Sequence, residues 1–150
     1  MTRLHLSYNC SVKSIKMSSV VFIWVGFLLA ISFMESWLKF RAPGVTLEAG
    51  LSIGKLVFNA LNKIEILLIL VLIGLAFFEG KMNLFKEILF LVPVCIVLIQ
   101  TFVLLPQMDQ RVTLLLQKEV LKPSNLHFYF VGGEVFKLIS LFLLGIKLIK

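Results

Sequence analysis

Charge is what this sequence has least of. Asp, Glu, Lys and Arg make up 15% of its 150 residues, against 59% hydrophobic residues and a mean hydropathy of +1.01. A soluble domain carries about 25% charged residues. A soluble core of this length could not absorb so much apolar surface. A bilayer can, because side chains that face lipid need no burial by protein. The composition therefore excludes a soluble domain and predicts one integral membrane domain. Cysteine is scarce too. Cys10 lies in a polar N-terminal segment and Cys95 in the middle of an apolar run, so no disulfide is expected. The absence of C-x-x-C argues against thiol oxidoreductases and zinc sites. The two histidines, His5 and His127, cannot build a bis-histidine haem site within one chain. No Ser-His-Asp set, G-x-S-x-G, H-E-x-x-H or phosphate loop is present. An enzyme, a cofactor and a metal site are accordingly not expected.

What is there is hydrocarbon in four blocks. A spanning helix needs about 20 mostly apolar residues. The predicted spans are 20–38, 59–78, 88–108 and 127–149, in an all-α four-helix membrane bundle over 17–150. The first and third are free of charge through most of their length. The second is not: its uncharged part, 66–78, is too short to cross, so Asn62, Lys63 and Glu65 must be drawn to or into the membrane. "RAPG" reads as a turn, with Pro43 and Gly44 stopping the first helix. The second helix then restarts near Thr46 or Leu47. The fourth span likewise must include Glu134 and Lys137. Between spans three and four, Val112, Leu115, Leu116 and Val120 share a face, which predicts a short interfacial helix ending before Pro123. Gly26-x-x-x-Ala30 and Gly50-x-x-x-Gly54 hint at close helix packing. Trp24 and Trp37 fit membrane interfaces.

The polar residues of the spans fall toward one side. Glu35 and Arg41 follow span one, Asn59, Asn62, Lys63 and Glu65 open span two, Asp109 ends span three, and Glu134 and Lys137 open span four. At about 100° per residue, Lys55, Asn59 and Asn62 form one stripe. Glu134 and Lys137 are i,i+3 neighbours able to pair. A charge below the surface costs a few kcal/mol unless paired or wet. The expected arrangement is a carboxylate-containing pocket at one membrane face, with Glu65 and Glu134 approaching each other beside Lys63 or Lys137. The other reading is structural: interfacial lysines and glutamates snorkel, and asparagines glue helices together.

The stretches "ESWLKFRAPGVTLEAGLSIGKLVFNALNKIE", "QTFVLLPQMDQRV" and "LHFYFVGGEVFKL" resemble a group of small uncharacterised four-helix integral membrane proteins of bacteria. The resemblance runs from Met17 to the end. It implies four spans in a bacterial inner membrane and brings no site residue with it. Three functions stay open. One is a membrane protein of unknown activity built around the polar pocket. Another is a small proton-coupled transporter of cationic compounds, similar to small multidrug-resistance proteins, whose glutamate lies within the first helix where Glu35 here lies at its end. The last is a non-catalytic accessory subunit. Expected partners are membrane lipids and a homo-oligomer or larger membrane complex. The net charge of +7 sits at span ends, where it meets lipid phosphates, so nucleic acid is not expected.

Residues 1–16 show no periodic pattern, and translation is expected to begin at Met17. Counted from there, Lys81, Lys86, Lys147 and Lys150 stand against Lys39, Arg41, Lys55, Arg111, Lys118 and Lys122. The positive-inside rule then puts the polar face in the cytoplasm.

Overall fold

The computed structural model describes residues 16–80, 82–119 and 124–149. The N-terminal segment with His5 and Cys10, and also Lys81, Val120, Lys122, Pro123 and Lys150, lie outside the described residues. Four long helices carry the chain: α1 (Lys16–Arg41), α2 (Leu47–Phe78), α3 (Ile88–Leu116) and α4 (Leu126–Ile149). Each is long and apolar enough to cross a membrane, which by length and composition makes this an all-α, multi-pass membrane protein.

The turns follow local chemistry. After α1, Gly44 takes a left-handed conformation (φ 81°) that only glycine adopts at little cost. Thr46 then caps α2, its hydroxyl accepting from the Ala49 amide at 3.2 Å. The helix runs unbroken to Phe78, as the sequence predicts. At about 1.5 Å per residue its 32 residues exceed the roughly 30 Å hydrocarbon thickness. The charged residues of its first turns, Glu48 and Lys55, favour that end as the excess. Gly80 (φ 68°) and a 3-10 turn, Met82–Lys86, lead into α3.

The expected interfacial helix takes a different form. Residues 109–116 are the last turns of α3, which continues through Pro106 to Leu116. Proline is tolerated at the first turn of a helical segment, so "PQMDQRVTLLL" extends the span instead of starting a new helix.

The helices pack up-down-up-down, so the C-terminal ends of α1 and α3 and the N-terminal ends of α2 and α4 share one end of the bundle. Lys55 of α2 meets Asp109 and Thr113 of α3 there. Lys147 of α4 pairs with Glu87 at the other end (2.6 Å). Leu28, Leu61, Leu72, Val97, Leu141 and Leu144 make the apolar core between them. Gly50 and Gly54 let α1 cross α2 closely: a β-carbon at Gly50 would strike the Phe40 ring, and one at Gly54 would stand 2.8 Å from Lys39 Nζ. Gly26 has nothing within 4 Å and serves no such crossing.

Candidate functional site

Lys137 lies halfway along α4, about 16 Å from Leu126 and about 18 Å from Ile149 along the axis, and is fully buried. An ammonium has three donors and no acceptor. Nζ donates to Glu65 Oε1 (2.5 Å) and Gln100 Oε1 (2.7 Å) and is ion-paired with Glu134 Oε1 at 2.8 Å. Glu134 also accepts from Gln100 Nε2 (2.7 Å) and Ser32 Oγ (2.8 Å). Glu65 Oε1 accepts in addition from Trp24 Nε1 at 3.0 Å. Every helix thus contributes: Trp24 and Ser32 from α1, Glu65 from α2, Gln100 from α3, Glu134 and Lys137 from α4. None of the six is more than 6% exposed.

Two widened helical turns aim the supporting groups. Ser32 lies in a π-helical stretch of α1, Leu28–Glu35, and Gln100 opens another in α3, Gln100–Leu104. A π turn shifts the register of the helix beyond it and recurs at functional sites. In α3 the cause is Pro106. Its ring has no N–H and clashes with the carbonyl four residues back, so the ladder opens and the Leu105 amide reaches Gln100 O. In α1 there is no proline. Instead the Ser36 hydroxyl donates into the ladder, to the carbonyls of Ser32 and Ile31.

From this cluster a polar seam runs between α2 and α3 toward the Lys55 end. Asn62 and Thr101 exchange hydrogen bonds (3.0 and 3.1 Å). Asn59 Nδ2 donates to both oxygens of Asp109 (3.1 and 2.9 Å). Lys55 Nζ donates to Thr113 Oγ1 (3.2 Å) and the Asp109 carbonyl (3.4 Å). The stripe read from the sequence therefore faces α3. Beside the seam, Phe58 and Phe130 pack with ring centroids 5.0 Å apart and planes tilted by 57° and, with Leu105, form a second apolar cluster. Beyond that layer opens a cavity of about 210 Å³, lined by Lys39, Lys55, Asp109 and His127 and by Phe58, Leu105 and Met108.

The structure brings together three of the residues singled out from the sequence, Glu65, Glu134 and Lys137, and separates the others. Asn59 and Asp109 pair with each other, and Asn62 joins Thr101. Glu35 pairs with Lys39 at 3.2 Å. Arg41 lies over the Trp37 ring, 4.5 Å from its centroid. Lys63 is exposed, because one residue past Asn62 turns it about 100° away from α3. The expectation of one pocket at one face divides accordingly. The charged cluster is packed shut at mid-depth, and the cavity lies nearer the Lys55 end, on the far side of the Phe58–Phe130 layer. Sequence reasoning missed Trp24, Ser32, Gln100 and Thr101. Trp24 is fully buried and bound to Glu65, not at an interface. Its place eight residues into α1 was the available signal. Gln100 was the amide in the middle of a charge-free span, which marks it as an inward residue. Ser32 and Thr101 carried no signal.

Among the described residues no group of His, Cys, Asp and Glu could hold a metal ion. No protein-family model, curated protein or solved structure matches the chain.

Proposed function

We propose that this is a small proton-coupled transporter whose Glu65–Lys137–Glu134 cluster takes up and releases one proton. The observation that carries the reading is one ammonium between two carboxyl groups, buried halfway through the bundle. With both carboxylates ionised the cluster holds a net charge of −1. With one proton added it is neutral. A net charge at the bilayer centre is costly, and intramembrane ionisable residues mark proton relays and substrate pathways. The cluster draws on all four helices, so a change in its protonation bears on how every pair packs. The seam and cavity put polar groups between the cluster and the Lys55 end, so opening of the Phe58–Phe130 layer would join the cluster to that side. The setting that fits the sequence resemblance is the bacterial cytoplasmic membrane, with the Lys55 end in the cytoplasm.

Infrared difference spectroscopy of the reconstituted protein tests this directly. A protonated-carboxyl C=O band should rise and fall reversibly as the pH is changed. It should vanish or shift in both Glu65→Gln and Glu134→Gln. A carboxyl band that does not respond to pH while the protein stays folded sinks the proton reading. A chain that extracts from its native membrane solely in a large complex, with no proton movement of its own in liposomes, would favour the accessory-subunit reading.

A further inference from the structure

The cavity at the Lys55 end has a specific charge pattern. Of the ion pairs among the described residues, none includes Lys55 or Asp109. Lys55 is held by a carbonyl and a hydroxyl, and Asp109 by the Asn59 amide, all uncharged groups. Both residues line the same cavity. Its other ammonium, Lys39, is already matched by Glu35 at 3.2 Å. The remaining wall is mostly apolar, from Leu51, Phe58, Leu105 and Met108, with the neutral hydroxyl residue Ser36 and with His127 beside it. An apolar cavity of about 150 Å³ holds a benzene ring. The 210 Å³ here has room for such a group with a small polar head.

We infer that this cavity is a binding site for a small zwitterion with a compact apolar group, of the kind a hydrophobic α-amino acid represents. The ligand carboxylate meets Lys55, its ammonium meets Asp109, and its apolar group lies against Phe58 and Met108. A cation alone would leave Lys55 uncompensated beside it, and an anion alone would do the same to Asp109. The zwitterion satisfies both. Placed so, it is one aromatic layer from the charged cluster. Phe58 packs against Phe130, whose carbonyl lies 3.5 Å from the Gln100 amide nitrogen that also holds Glu134. The inference deepens the transport reading by naming its solute class.

Calorimetry on the detergent-purified chain at neutral pH tests the site with three probes: phenylalanine, hydrocinnamate, which lacks the ammonium, and phenethylamine, which lacks the carboxylate. The expected result is saturable binding of phenylalanine, with each analogue at least tenfold weaker. Equal affinity for phenethylamine would make this a plain cation site, and equal affinity for hydrocinnamate a plain anion site. Either result, or no saturable binding of phenylalanine, overturns the proposal. Lys55→Met should weaken phenylalanine at least tenfold and leave phenethylamine unchanged. Asp109→Asn should weaken phenylalanine equally and leave hydrocinnamate unchanged. Folded variants that bind phenylalanine as the unaltered chain does overturn it too. The analogue comparison needs no variant to fold. It also needs no proton gradient, so failure here leaves the proton-binding reading standing, and failure of the carboxyl titration leaves this site standing.

Discussion

Ser140 of α4 donates its hydroxyl to the carbonyl of Leu89 in α3, at 2.9 Å. Leu89 is four residues before Pro93, the first of the two prolines inside α3. Proline has no N–H, so the Leu89 carbonyl loses the amide that would normally bond it. In a membrane such a group must find another partner, and the neighbouring helix supplies one. Ser140→Ala should lower stability by about 1 kcal/mol, measured by unfolding in mixed micelles. In a Pro93→Ala background, where the amide is restored, the same change should cost measurably less. An equal cost in both backgrounds would show that the hydroxyl does not serve the proline.

Lys137→Met should be among the most damaging single changes. It leaves Glu65 and Glu134 facing each other without their cation, and breaking a buried ionic cluster by removing one partner costs about 3–5 kcal/mol. Combining it with Glu65→Gln and Glu134→Gln removes the uncompensated charge and should recover most of the loss. Thermal unfolding of the parent, the single variant and the triple variant in detergent checks this. A triple variant no more stable than Lys137→Met would show that the ammonium acts through packing.

Trp24→Phe keeps the ring's bulk and removes the N–H that reaches Glu65. A hydrogen bond to a charged group is worth about 1.5–3 kcal/mol, and a loss of that order is expected. The fluorescence of the variant should come from Trp37, which is 50% exposed. It should be redder and more readily quenched than that of the unaltered protein.

Glycine substitutions should separate the real helix crossings from the apparent one. Gly50→Ala presses on the Phe40 ring and Gly145→Ala on the Phe22 ring, 2.8 Å from the added carbon. Overpacking of this kind costs about 1–3 kcal/mol. Gly26→Ala meets nothing and should lie within about 0.5 kcal/mol of the parent. Phe40→Ala should relieve the Gly50→Ala strain in a double variant.

Thr101→Val removes the exchange of hydrogen bonds with Asn62. Interhelical hydrogen bonds in membranes average about 0.6 kcal/mol, so the loss should be small and well below that of Lys137→Met. A loss as large would mean that the seam, not the charged cluster, holds α2 to α3.

Much of the fold was readable along the chain because a bilayer imposes it locally. Four apolar blocks mark the spans, two of them completed only by including charged residues, "RAPG" marks the turn, and Thr46 marks where α2 restarts. Too few uncharged residues at 66–78 and at the start of α4 forced Glu65, Glu134 and Lys137 into the membrane before any tertiary contact was known. Which polar groups meet is a different kind of fact. It depends on how four helices rotate about their axes, and hydrophobic periodicity sets that poorly when lipid and core are equally apolar. It depends also on two π turns that break the regular spacing of side chains around the helix, one caused by Pro106 and one by a serine hydroxyl. Tertiary packing therefore decided that Lys137 and not Lys63 joins the two glutamates. It brought in Trp24 and Gln100, and it set the charged cluster at mid-depth, apart from the cavity.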